Sequence, residues 1–124
     1  MNALLVFAGG GLGSLLRFGI GQLGTFFGWG KSLFPWSTLL ANVLACLVMA
    51  LLVGLDQESI SAKSRMFGMI GFCGGLSTFS TFSLENHRLL QEGAWGFLAL
   101  NILLSTAGCL AIFFLYQRSL LSVE

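Results

Sequence analysis

The stretch "GFCGGLSTFSTFS", Gly71 to Ser83, decides how this chain is read. It carries three Gly, five Ser or Thr hydroxyls and three Phe, and no charge. It lies inside a charge-free run, Met66 to Leu84, long enough to cross a ~30 Å hydrocarbon core as a helix. Two more charge-free runs flank it, Ser32 to Leu55 and Gly93 to Gln117. The stretch from Met1 to Gly30 is also apolar, with Arg17 as the exception. Hydroxyls and glycines are thus concentrated in the middle of a segment that must be a membrane helix.

The composition agrees. Of 124 residues, 56% are hydrophobic and 9% charged. A soluble domain carries about 25% charged residues, so this chain cannot coat a soluble globule. The pattern predicts an all-α integral membrane protein, one domain over 1–124, with transmembrane helices at 2–26, 35–55, 66–90 and 94–117. No basic region precedes the first helix, and apolar character continues past Arg17, so it reads as a span and not as a signal peptide. Charge collects in the connections, Gly28 to Ser32, "DQESISAKSR" at Asp56 to Arg65, and Gln91 to Gly93. Pro35 stands where it can open the second helix.

Several function classes drop out. Cys46, Cys73 and Cys109 fall in apolar runs with no CxxC spacing and no neighbouring His, which argues against a disulfide framework or a metal site, and they read as small packing residues. His87 beside Arg88 reads as a surface residue. No nucleophile–base pair suggests an enzyme, and a net charge of +1 implies no nucleic-acid partner.

Four spans put both termini on one side, with Lys63, Arg65 and Arg118; Lys31 and Arg88 lie opposite. A Lys/Arg excess sets orientation. Three against two is a weak bias, which leaves room for both orientations and for an antiparallel dimer. "AGGGLG" at Ala8 to Gly13 and "GIGQLG" at Gly19 to Gly24 allow close helix packing.

Polar groups within the spans mark function. Arg17 is the one charge deep in the first helix, and Asn42 lies well inside the second. Asn101 and Ser105, spaced i, i+4, share a face of the fourth. On a continuous third helix, Phe79 and Phe82 share a face, Thr78, Thr81 and Glu85 form a stripe, and Ser80, Ser83 and His87 another. Gly74–Gly75 invites a break there. Broken backbone at membrane depth is tolerated where protein covers it or a cavity meets it, and its free carbonyls can hold ions. The edge of a Phe ring is partly positive and can face an anion.

These motifs, "GFCGGLSTFSTFS", "GGGLGSLLRF" and the Asn of "TLLANVLA", resemble the CrcB/Fluc family of fluoride channels over essentially the whole chain. The resemblance implies a third helix broken near its middle and an antiparallel, dual-topology homodimer with two pores in a bacterial inner membrane. It implies that Phe79, Phe82 and Asn42 line the fluoride path, with Ser80, Thr81, Ser83 and Ser105 as further polar positions. It implies a structural Na⁺ at the dimer centre, held by the main-chain carbonyls of Gly74 and Ser77, and a vestibule role for Arg17. Ile102 stands where some members carry Tyr, so a ring contact is missing there. Two rival readings are a small multidrug-type transporter and a non-transporting scaffold. The first wants a membrane-embedded carboxylate, and the candidate, Glu85, falls just past the charge-free run. The second leaves the clustering of Phe and hydroxyls unexplained.

Overall fold

The computed structural model describes residues 1–55 and 60–121. Residues 56–59 of the predicted polar connection lie outside that range. The described residues fold into helices joined by short connections: α1 (Asn2–Phe26), α2 (Trp36–Gly54), α3 (62–76), α4 (Phe79–Gln91) and α5 (95–121). Among the described residues, four spans are long and apolar enough to cross a membrane, with α3 and α4 together forming the third, Ala62–Gln91.

The third span begins four residues before the expected start. Ser61 accepts the N–H of Ser64 at 3.2 Å and caps the helix, so Lys63 and Arg65 fall within its first turn. The second begins at Trp36, with Pro35 at the cap. The fourth runs past the expected end at 117, to Leu120, because Arg118 stays helical.

Glycine sets the main helix seam. A Cβ added at Gly9 or Gly13 of α1 would meet the carbonyls of Phe67 and Phe72 on α3. Added at Gly71 or Gly75 of α3, it would meet the carbonyls of Val6 and Gly10 on α1. Each helix thus offers an i, i+4 pair of bare backbone to the other, the small-xxx-small packing of membrane helices. Along this seam α3 is wound as a π-helix from Met66 to Cys73, and α5 carries a shorter π-helical turn, Leu104–Gly108. Such turns often accompany functional sites. α2 packs on α5, where Tyr116 occupies the space beside Gly54.

The buried cluster joins Ile20 of α1, Ala41 and Ala45 of α2, and Leu76, with Leu44 and Phe72 against it. Leu76 is the last residue of α3, so the core sits directly beneath the point where the third span stops being helical. Large apolar side chains such as Phe7, Leu15, Leu110 and Phe114 cover the outside. That surface suits lipid and does not suit water.

Candidate functional site: the break in the third span

The third span loses its helix at Ser77 and Thr78. Both are extended, with φ −76° and ψ 154° at Ser77 and φ −150° and ψ 122° at Thr78. Three side chains build the interruption. Ser77 Oγ donates to the Cys73 carbonyl at 2.8 Å and closes α3. Thr78 Oγ1 accepts the N–H of Thr81 at 3.3 Å and caps α4. Asn42 Oδ1, from α2, accepts the Thr78 N–H at 2.8 Å, and Asn42 Nδ2 donates to the Thr78 carbonyl at 3.5 Å. In an unbroken helix that N–H would bond the carbonyl of Gly74. The Gly74 carbonyl is released from this donor.

The break therefore lies beyond the expected glycine pair. Gly74 and Gly75 are both helical. Gly75 is needed because the Gly10 carbonyl occupies the space of a Cβ, whereas Gly74 opens on empty space. The expected stripe of Thr78, Thr81 and Glu85 is also revised. Thr78 is extended and precedes α4, and its hydroxyl donates to Thr81 Oγ1 at 3.1 Å. Its role is local capping.

Two cavities flank the break. The first, about 270 Å³, is lined by Asn42, Ser77, Thr78, Phe79, Phe82 and Ser105, and also by Cys46, Thr106 and Cys109. The Phe79 and Phe82 ring centroids are 5.9 Å apart with planes at 38°. Phe79 is 80% exposed on the single chain, so packing within the chain does not hold it. Asn42 keeps one of its two N–H donors beyond the contact with Thr78.

The second cavity, about 400 Å³, takes Ser14 and Arg17 from α1, Thr38 from α2, and Thr81 and Glu85 from α4. An Arg17 guanidinium N–H donates to the Ser77 carbonyl at 3.4 Å. Thr38 Oγ1 donates to Glu85 Oε1 at 2.7 Å, while Glu85 Oε2 is buried without a partner among the described residues. One cavity is thus lined by amide, hydroxyl, thiol and aromatic groups. The other holds a cation and a carboxylate.

Asn42, Phe79, Phe82 and Ser105 line the first cavity together with Ser77, and Arg17 and Thr81 line the second. Ser80, Ser83 and Gly74 line neither; Ser80 and Ser83 are exposed, and Ser80 Oγ lies 3.3 Å from Thr78 Oγ1. The Ser105 hydroxyl donates to Asn101 Oδ1 at 3.4 Å, and Asn101 Nδ2 donates to Asn86 Oδ1 at 2.8 Å. Ile102 is exposed and offers no ring.

Sequence reasoning missed Thr38 and undervalued Glu85. The Glu85 signal was its spacing from Thr81 on one helical face. Thr38 carried no signal, since its partner lies 47 residues away. Of the three Cys expected to be packing residues, Cys73 is buried, while Cys46 and Cys109 are half-buried and also line the first cavity.

Four apolar spans and a third span opened at mid-depth around polar groups define a multi-pass membrane protein that brings polar chemistry into the bilayer. A family model described as CrcB-like protein, Camphor Resistance (CrcB), matches residues 4–116, and the chain belongs to that family. It is 42% identical over 111 residues to a protein of Azobacteroides pseudotrichonymphae genomovar. CFP2 named Fluoride-specific ion channel FluC, covering 87% of each chain. Proteins of the same name from Coxiella burnetii (strain CbuK_Q154) and Shewanella frigidimarina (strain NCIMB 400) are 40% identical over 114 residues and 42% over 124. These alignments cover 90% of each chain for the first, and 98% of this chain and 97% of the relative for the second. The relatives are ion channels, not enzymes.

Proposed function

We propose that the chain is a fluoride-selective channel for passive export of cytoplasmic fluoride across a bacterial inner membrane. The observation that carries this is the cavity at the break, where the Asn42 amide and the Phe79 and Phe82 rings converge at mid-span. Family membership and relatives named for fluoride support the same reading. Fluoride is small and strongly hydrated. To cross, it must exchange water for donors that hold it comparably and still let it leave. The spare N–H of Asn42 and the positive ring edges suit that task. Ser80, Thr81, Ser83 and Ser105 are further candidates. Ser105 spends its proton on Asn101, so it serves fluoride only after its hydroxyl turns.

The working unit in this proposal is an antiparallel homodimer with two pores. Phe79, Ser80 and Ser83 are exposed on the single chain near the middle of a span. Hydroxyls at that depth need cover by protein or by a polar path. A second copy would provide it, and the weak Lys/Arg bias permits the inverted partner. A central Na⁺ belongs to the same proposal. The Gly74 carbonyl lacks its Thr78 donor, which leaves it free to serve as a cation ligand. The Ser77 carbonyl fits less well, since the Arg17 guanidinium sits at 3.4 Å. Two carbonyls from one chain make an incomplete shell, so the site depends on the partner copy. Arg17, beside the second cavity, takes the vestibule role.

A second reading, a proton-coupled small multidrug-type transporter, draws on the half-buried Glu85 within the third span. The test separates the two. Purified protein in liposomes should release fluoride down its gradient with no proton gradient imposed, and should not release chloride at a comparable rate. Chloride release at the fluoride rate would remove the function. Export of cationic dyes driven by a proton gradient would favour the transporter, and silence toward all of these the scaffold.

A further inference from the structure

The first cavity has a wall that the fluoride reading does not use. Cys46 comes from α2, and Cys109 follows the π-helical turn of α5. Both are half-buried and both open on the cavity of Phe79 and Phe82. α2 packs on α5, which sets the two residues on neighbouring helices at one cavity. Thiols kept only for packing would be sealed, as Cys73 is at 2% exposure. Two thiols from packed helices on one accessible cavity are a candidate ligand set.

We propose that Cys46 and Cys109 form a two-thiol site for a soft, two-coordinate metal cation, with Hg²⁺ as its probe, and that an ion bound there closes the fluoride path.

The chemistry limits the occupant. Among the described residues no group of three or more His, Cys, Asp or Glu is placed to hold a metal. Zinc in structural sites takes four such ligands, and hard cations take oxygen sets. Thiolates select soft metals instead. Binding is a proton-for-metal exchange. Two S–H bonds break, two S–Hg bonds form, two protons leave to solvent, and no electrons are transferred. The mercuric bis-thiolate is neutral, so it adds no uncompensated charge to a largely apolar wall. It would share the cavity with Phe79 and Phe82 and narrow the space an anion needs.

The closure half of this inference rests on the fluoride reading, while the binding half does not, and the experiment keeps them apart. Detergent-purified protein is titrated with HgCl₂, and free thiols are counted under denaturing conditions. One Hg²⁺ per chain should lower the count from three to one, the survivor being Cys73. Cys46→Ser and Cys109→Ser should each abolish this stoichiometric uptake. Fluoride efflux from liposomes is measured in parallel. Mercury should bring the wild type down to the level of protein-free vesicles, and dithiothreitol should restore it. Cys46→Ser/Cys109→Ser should keep its own mercury-free rate when mercury is added. An unchanged thiol count, or mercury found bridging two chains, overturns the site. Uptake at one per chain with efflux unaffected overturns the closure. A wild type that conducts no fluoride at all defeats the channel reading and the closure with it, and the thiol count still decides the site.

Discussion

Asn42 does two things that substitution can separate. Its Oδ1 pins the Thr78 N–H, and its Nδ2 holds a donor toward the cavity. Asn42→Asp keeps an acceptor for Thr78 and removes the donor. It is expected to stay folded by size-exclusion and thermal melting while fluoride efflux from liposomes is lost. Asn42→Ala also leaves the Thr78 N–H unpaired, which costs about 1–3 kcal/mol. Its melting midpoint should therefore fall below that of Asn42→Asp; equal midpoints would mean that the clamp does not hold the break. Phe79 is a second clean test, because it is so exposed on the chain. Phe79→Ile removes the ring quadrupole and little internal packing. Efflux should stop with the melting midpoint unchanged, and Phe82→Ile should act in the same direction. Wild-type rates in both would return the rings to a packing role.

Among the elements, the seam of α1 and α3 carries the sharpest steric prediction. Gly75→Ala drives a methyl into the Gly10 carbonyl, whereas Gly11→Ala meets nothing within 4 Å. Overpacking of this kind costs roughly 1–3 kcal/mol. Gly75→Ala should lower the aggregation temperature of the detergent-solubilised protein, and Gly11→Ala should leave it in place. This contrast also shows where the sequence was legible. Span number and approximate limits followed from the charge-free runs, because lipid demands length and apolarity and little else. A break was expected from Gly74–Gly75 just ahead of the hydroxyl cluster. Its position was not legible, since glycine has two uses in a membrane helix and the flanking sequence does not distinguish them. Gly75 serves close packing, and the loss of helix two residues on is written by Ser77, Thr78 and the distant Asn42. Thr38, and the cavity-facing thiols of Cys46 and Cys109, stayed hidden for the same reason. Their roles depend on partners from other helices.

At the scale of the whole molecule, Lys and Arg divide three against two between the sides. A C-terminal reporter should then be found on both faces of the membrane in one population of wild-type protein. Two added Lys near Glu124 should fix one orientation and abolish efflux. Co-expression with a copy biased the other way should restore it. A reporter confined to one face would sink the antiparallel dimer and leave the exposed Phe79, Ser80 and Ser83 to be covered in another manner.

The clamp of Asn42 on Thr78 also places a clock in the middle of the bilayer. Amide protons inside α3 and α4 exchange with solvent when helix unwinds. The Thr78 amide is held by a side chain, so rotation of Asn42 is enough to expose it, and opening of this size belongs to the low-energy end of local fluctuations. Its exchange rate in deuterated buffer would record how long the gap in the third span stays latched, independently of any ion that passes.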